Sequence, residues 1–410
     1  MARLAALVLL LLAGCARVSA PYEVPAVTLA EPAGLATVEA HTQSPIVGGN
    51  RAAILLNGDE IFPAMLEAIR GATRTVTFAQ YYYGDGPIAA EVAAALAERC
   101  GAGLPVHVLL DGVGALGVPG EHVERMERAG CAVAWFRPVR PWTIRRVNNR
   151  MHRRILVVDG RVGFTGGSGI SEKWMGDGRT ADHWRDTDVR VEGPVVRQLQ
   201  TAFAESWREV TGVMLAGHGY FPRLEPAGPL TAQVVWSSPA SGSFEAYLLF
   251  MLAIESSGRS ILITNPYFVP DDRMSDALIR AARRGVRVVA LVPGRIDHNI
   301  VRHASRRGFG PLLLAGIEIH EYVPALLHAK TIVVDGLFAS IGSVNLDNRS
   351  FALNEELNVA VYDRGFAERL ERVFAEDLRH ARRVTYEQWK ARGLRARMLE
   401  LVAAPVRSLL

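Results

Sequence analysis

The stretch His328–Glu356, HAKTIVVDGLFASIGSVNLDNRSFALNEE, decides how the rest of the chain is read. Ile332 to Val334 is an apolar run with the character of a buried strand, ended by Asp335-Gly336, a dipeptide that turns the chain. A second short strand, Phe338 to Ile341, leads into Gly342-Ser343. His328 and Lys330 are two apart, so on an extended chain their side chains project from the same face. An imidazole beside an ammonium on a sheet suits gripping and attacking a phosphate.

The chain makes this arrangement twice. His152-Arg153-Arg154-Ile155-Leu156-Val157-Val158-Asp159-Gly160 repeats the spacing, and Gly166 falls on Gly342. Past a small insertion in the first copy, Asp186-x-Asp-Val aligns with Glu356-x-Asn-Val. Working outward, strands and helices alternate in the same order in both copies. In the first, helices over Ile61 to Ala72, Ile88 to Arg99 and His122 to Ala129 separate strands at Thr75 to Ala79, Pro105 to Leu110 and from Cys131. In the second, helices over Phe244 to Ser256, Met274 to Arg284 and Asn299 to Ala315 separate strands at Ala232 to Trp236, Ser260 to Thr264, Val286 to Val292 and Glu318 to Tyr322. Such a duplication means two copies of one fold, and the alternation means a sheet covered by helices on both faces. The Pro- and Gly-punctuated run Leu215 to Leu230 is the expected junction, giving domains at 48–225 and 226–410.

The 410 residues exceed one ordinary core, and 49% hydrophobic with 21% charged residues is the composition of a soluble globular enzyme. A formal charge of +4 fits a phosphate-bearing or anionic partner. It is too small for a surface that tracks a nucleic-acid backbone, so no nucleic-acid partner is expected.

At the N-terminus, Arg3 precedes the apolar run Leu4 to Leu12, which is too short to span a bilayer and ends in Leu12-Ala13-Gly14-Cys15. A basic start, a short apolar run and small residues before a cleavage point are the layout of an export signal. The ending resembles a bacterial lipoprotein signal, which implies cleavage before Cys15 and acylation of its thiol. Residues 16–47 then read as a tether. The chain is expected on the periplasmic side of a bacterial membrane, the outer membrane being favoured because Ala16 is not an Asp. In an oxidising compartment Cys100 and Cys131 could pair; buried free thiols are the other reading. Three cysteines without a Cys-x-x-Cys offer no zinc site. From Phe366 onward, basic and apolar residues recur at helical spacing, as in Leu370, Val373, Leu378, Trp389 and Leu399. Helices of that kind lie on a membrane surface or pack against the core.

The motif carried by His328, Lys330, Asp335, Gly342, Ser343 and Asn345 resembles the signature of the phospholipase D superfamily. The first copy matches through His152, Arg154 and Asp159, with Arg for Lys, Gly-Gly for Gly-Ser, and Gly169 where the second has Asn345. The likeness runs from about Ile54 to Asp377. It is nearest to bacterial cardiolipin synthases in the flanks Leu-Leu-Asp-Gly-Val-Gly, Phe-Thr-Gly-Gly, Trp-Arg-Asp-Thr, Tyr-Phe-Val-Pro-Asp-Asp and Ser-Phe-Ala-Leu-Asn-Glu-Glu.

This resemblance implies two tandem α/β/α sandwich halves related by a pseudo-two-fold axis, with the active site at their seam. It implies a covalent phosphohistidine, with His152 as nucleophile and His328 as the proton-transfer group, roles the sequence alone does not distinguish. Lys330 and Arg154 would hold the phosphoryl oxygens and Ser343 and Asn345 donate to them, so no metal or cofactor is required. The internal alignment proposes Asp186 as the acid orienting His152 and Glu356 as the acid orienting His328. Asp159 and Asp335 belong to the motif but sit at strand ends, where bracing is their expected part. The implied substrate is a phospholipid such as phosphatidylglycerol with an alcohol acceptor, giving cardiolipin or a relative. Hydrolysis of phospholipid or nucleic acid, and a non-catalytic phosphate-binding envelope lipoprotein, are the alternatives. Tyr81 to Tyr83 are expected in the packing and the pocket wall.

Overall fold

The computed structural model describes residues 24–25, 27–140 and 147–403. Cys15 and the export signal lie outside them, as do Trp142, Arg145 and Arg146.

Within the first half the strands are β1 Val47–Leu56, β2 Val76–Gln80, β3 Val106–Asp111, β4 Ala132–Phe136, β5 Ile155–Val158, β6 Val162–Gly166 and β7 Thr187–Glu192. The second half has β8 Leu230–Ser237, β9 Ser260–Thr264, β10 Arg287–Pro293, β11 Glu318–Tyr322, β12 Thr331–Val334, β13 Phe338–Gly342 and β14 Glu356–Tyr362, followed by β15 Ala381–Val384. Spatial order in the first half is β1-β7-β6-β5-β2-β3-β4, and the second repeats it as β8-β14-β13-β12-β9-β10-β11, with β15 added at the edge. Antiparallel pairing of β1 with β8 joins the halves into one continuous sheet. The duplication seen in the sequence is therefore a duplication of topology.

Local chemistry explains each half. The parallel strands β2, β3 and β4 need crossovers, supplied by the helices Pro87–Gly101 and Gly120–Arg128. The antiparallel β5–β6 and β12–β13 pairs close through Asp159-Gly160 and Asp335-Gly336. Both residues of each turn are left-handed, with φ of 55° and 63° in the first and 56° and 60° in the second. That conformation is why Asp-Gly stands at both places. Apolar side chains from both halves, among them Val157, Phe203, Ile341 and Leu370, form one core across the seam. The helices Val196–Thr211 and Arg364–Arg379 contribute to that shared core. The second of these belongs to the C-terminal segment, so at Phe366 and Leu370 the apolar spacing serves the core.

Two elements depart from expectation. Within the stretch read as a tether, Pro32–Thr42 is a helix, with Leu29 and Val38 buried in the core of the second half. Thr42 Oγ1 donates to Gln233 Oε1 at 3.3 Å and Gln43 Nε2 to Glu245 Oε1 at 3.2 Å. Docking fixes this piece of chain, so it is not a free linker. Next, β1 begins at Val47, ahead of the first element read in the sequence, the helix from Ile61, because Gly48-Gly49 interrupts the period. Cys100 and Cys131 are joined as a disulfide, Cα–Cα 5.4 Å, between the end of Pro87–Gly101 and the start of β4.

Candidate active site

Each conserved-spacing histidine stands just ahead of a hairpin strand, His152 before β5 and His328 before β12. Their backbones are tied across the seam. His152 N–H donates to Glu355 O at 2.8 Å and Glu355 N–H to Arg150 O at 2.8 Å. On the other side, His328 N–H donates to Arg185 O at 2.7 Å and Arg185 N–H to Leu326 O at 2.8 Å. Glu355 and Arg185 each precede the acid of their own half. The tie therefore delivers that acid to the histidine of the other half.

The resulting pairs are crossed. His152 Nδ1 lies 2.9 and 3.0 Å from the Glu356 oxygens, and His328 Nδ1 lies 2.8 Å from Asp186 Oδ2. This corrects the same-half pairing taken from the internal alignment. Alignment matches equivalent positions, and a two-fold axis puts equivalent positions on opposite sides of the seam. With Nδ1–H donated to a buried carboxylate, Nε2 is the unprotonated nitrogen of each ring. Both histidines line one cavity of about 720 Å³ at the seam.

A buried cation attends each imidazole. Arg154 donates from Nη1 to His152 O at 2.7 Å, and its Nη2 is 3.2 Å from His152 Nε2. Lys330 donates to His328 O, with Nζ 2.9 Å from His328 Nδ1 and 3.1 Å from Nε2. Burial, then Arg154, pulls His152 down to about 4 against the opposing pull of Glu356. Burial, then Lys330, takes His328 to about 4 against Asp186. Both rings are thus neutral at pH 7. Burial also lowers Lys330 to about 7, with Asp186 opposing. For Asp186, burial alone would raise the carboxyl, but His328, Lys330 and the Trp174 N–H outweigh it and hold it at about 2.

The motif residues divide by task. Asp159 accepts from the backbone N–H of Thr73 at 3.0 Å, Arg74 at 2.7 Å and Thr75 at 3.0 Å. Asp335 accepts from Gly258 at 2.8 Å, Arg259 at 2.7 Å and Ser260 at 2.8 Å. Neither lines the cavity; at the strand ends where bracing was expected of them, these motif carboxylates anchor the loops entering β2 and β9. Ser343 Oγ donates to Glu356 Oε2 and accepts from Leu357 N–H at 3.0 Å, which places it on the acid, where direct contact with phosphate was expected. Ser350 Oγ donates to Glu356 Oε1 at 2.7 Å. Asn345 lines the cavity, and a Cβ on Gly342 would meet Leu357 O at 2.3 Å, so only glycine lets the strands approach there.

The altered first half is rebuilt around a residue the motif does not contain. Trp174 Nε1 donates to Asp186 Oδ2 at 2.8 Å, the service that serine hydroxyls perform for Glu356. A Cβ on Gly167 would lie 2.2 Å from Asp186 Oδ1, and one on Gly169 would lie 2.8 Å from the Trp174 ring. The glycines that replace Ser343 and Asn345 thus make room for a shorter acid and its indole. Trp174, Trp184, Tyr267, Asp297 and Asp347 also line the cavity outside the repeated motif, Trp184 and Tyr267 within the flanks Trp-Arg-Asp-Thr and Tyr-Phe-Val-Pro-Asp-Asp. For Trp174 the one sequence clue is the insertion that carries it. Burial pushes Asp347 up to about 7. Among the described residues no helix is long and apolar enough to cross a membrane.

Comparison with known proteins falls on the same two halves. The family model described as cardiolipin synthase, PLD-like domain, matches residues 65–207 and 251–378. A cardiolipin synthase of Geobacillus kaustophilus (strain HTA426) is 36% identical over 387 residues, covering 94% of this chain and 76% of its own. A cardiolipin synthase A of Pseudomonas fluorescens (strain SBW25) is 37% identical over 349 residues, covering 84% and 72%. The crystal structure of a phosphatidylserine synthase from Haemophilus influenzae Rd KW20 superposes with a TM-score of 0.71 at 13% identity, over 92% of this chain and 100% of that one. At that identity the likeness is one of fold. Since the match takes in both repeats and the relatives align across the seam, the chain belongs to the phospholipase D superfamily, in the family of cardiolipin synthase PLD-like domains.

Proposed function

We propose that this protein is a phosphatidyltransferase of the cardiolipin synthase kind. It would move the phosphatidyl group of a phospholipid such as phosphatidylglycerol to an alcohol, through a phosphohistidine. The observation that carries the reading is the pair of neutral imidazoles in one cavity, each oriented at Nδ1 by a buried acid from the opposite half. His152 Nε2 attacks phosphorus, the P–O bond to the leaving glycerol breaks, and the alkoxide takes a proton from His328. Arg154 and Lys330 hold the non-bridging oxygens; the guanidinium can span two of them. A buried phosphodiester offsets these cations, and its negative charge raises the imidazole pKa, so His328 can hold the proton this step needs. In the second step His328 takes the acceptor hydroxyl's proton, the new P–O bond forms, and the P–N electron pair returns to Nε2. His152 is assigned the attack by the resemblance in motif order.

The test is incubation with phosphatidylglycerol. Cardiolipin and glycerol are expected, with His152→Ala and His328→Ala each losing at least about 10²-fold. His328→Ala incubated with lipid labelled in the phosphatidyl group should retain label on the protein, whereas His152→Ala should not. Phosphatidic acid as sole product would replace transfer by hydrolysis, and loss of single-stranded DNA without lipid turnover would overturn the lipid reading. Acylation at Cys15 and a periplasmic, membrane-bound location belong to the same proposal, supported by the sequence Leu12-Ala13-Gly14-Cys15. Incorporation of labelled fatty acid that survives in Cys15→Ser would refute that part.

A further inference from the structure

The two halves of the cavity are not equivalent, and the difference is an insertion. Twenty positions separate Gly166 from Asp186, whereas fourteen separate Gly342 from Glu356. The extra chain forms the turn Glu172–Trp174 and returns to Trp184. Because the acids cross, this first-half insertion packs beside the second-half histidine. The Trp174 and Trp184 rings lie 5.4 and 5.2 Å from the His328 ring.

Lys173 rides on that aromatic shelf. Its Nζ lies 5.1 Å from the Tyr82 ring centroid and 5.4 Å from that of Trp184, and it donates to Tyr82 Oη at 3.1 Å. Lys173 lines the same cavity as both histidines. Among the described residues no carboxylate forms an ion pair with it. The insertion therefore presents an ammonium to the cavity on the side of His328, separate from the Lys330 and Arg154 that attend the imidazoles.

Charge tells what such a cation is for. If the acceptor were a small neutral alcohol, the substrates would bring one anion, the reacting phosphodiester, already flanked by Arg154 and Lys330. If the acceptor is a second phospholipid, a second phosphodiester must enter three carbons from the attacking hydroxyl, and like charges in a partly buried cavity repel. The acceptor hydroxyl gives its proton to His328, so the second phosphate must lie on that side. We infer that Lys173, held by Tyr82 and Trp184, contacts the phosphate of the acceptor lipid and so sets it apart from a neutral alcohol. This rests on the transferase reading above. An ammonium on aromatic faces offers a mobile point charge where the acceptor's orientation varies. In the step concerned, the acceptor oxygen forms the P–O bond while the P–N bond to His152 breaks, and Lys173 changes no covalent partner.

The experiment offers the full-length protein two acceptors at once: unlabelled phosphatidylglycerol and deuterated glycerol, with a fluorescent phosphatidylglycerol donor at fixed concentration. Cardiolipin reports the anionic acceptor, and deuterium in recovered phosphatidylglycerol reports the neutral one. In Lys173→Glu the ratio of cardiolipin to exchanged glycerol should fall at least about tenfold. The fall should appear in KM for acceptor lipid, and Lys173→Arg should restore the ratio. Equal loss of both products, or no change in either, overturns the inference. Wild-type glycerol exchange without cardiolipin also overturns it and leaves phosphatidyl transfer standing. Absence of both products in the wild type overturns the transferase reading itself, and this inference with it.

Discussion

At the scale of single residues, the crossed acids have the sharpest consequence. Glu356→Gln keeps the shape but removes the anion that fixes the His152 tautomer, and should cost about 10²–10⁴-fold in kcat. A double-mutant cycle on activity should couple His152 strongly with Glu356 and weakly with Asp186, the reverse of what alignment alone predicts. Lys330 gives a pH test. Its pKa is lowered to about 7, so it loses its charge as pH rises through that value. The free enzyme's groups govern kcat/KM, which should therefore fall above about pH 7. Lys330→Arg should carry the alkaline limb upward, because a guanidinium keeps its proton. The histidines, Lys330 and Arg154 were legible in the sequence because they share one spacing twice. The partnership of the acids was not, since repetition records equivalence and a two-fold axis turns equivalence into opposition. Trp174 was invisible for a related reason: it replaces hydroxyls by a different kind of donor, at a different place in the chain.

At the scale of elements, the Asp-Gly hairpins separate bracing from chemistry. Asp335→Ala strands the N–H groups of Gly258, Arg259 and Ser260 and should lower stability by about 2–3 kcal/mol. The folded fraction should keep its kcat, as measured by chemical unfolding alongside turnover; a kcat loss beyond the unfolded fraction would return Asp335 to the chemistry. The docked helix Pro32–Thr42 makes a similar claim. Val38 is 1% exposed, and Val38→Asp should cost at least about 2 kcal/mol, read as a lower melting temperature. A free tether would not respond. That helix escaped the sequence reading because its contacts are made largely by small residues, with Ala, Gly and Thr giving no clear apolar stripe. β15 was missed too, since Ala-Arg-Arg-Val on an edge has nothing to alternate with.

At the scale of the whole molecule, the duplication was readable but the single sheet was not. Nothing in the Leu215 to Leu230 junction announces that β1 and β8 pair, a contact made far apart in the chain. The halves are further fastened by buried ions. Arg185 bonds Asp377 in a fork, Nε to Oδ1 at 2.9 Å and Nη2 to Oδ2 at 2.8 Å, and its backbone carries His328. Arg185→Ala leaves a buried carboxylate without its partner and should cost about 3–5 kcal/mol, measured by denaturant unfolding.

The insertion beside His328 has a consequence for how such a molecule could have arisen. Two identical repeats meeting as a symmetric pair would surround both histidines with the same wall, and any change would appear on both sides together. Joining the repeats in one polypeptide removes that constraint. Trp174 and Lys173 can then stand on one side alone, facing no copy of themselves, and a site built from matching parts acquires a distinct front and back.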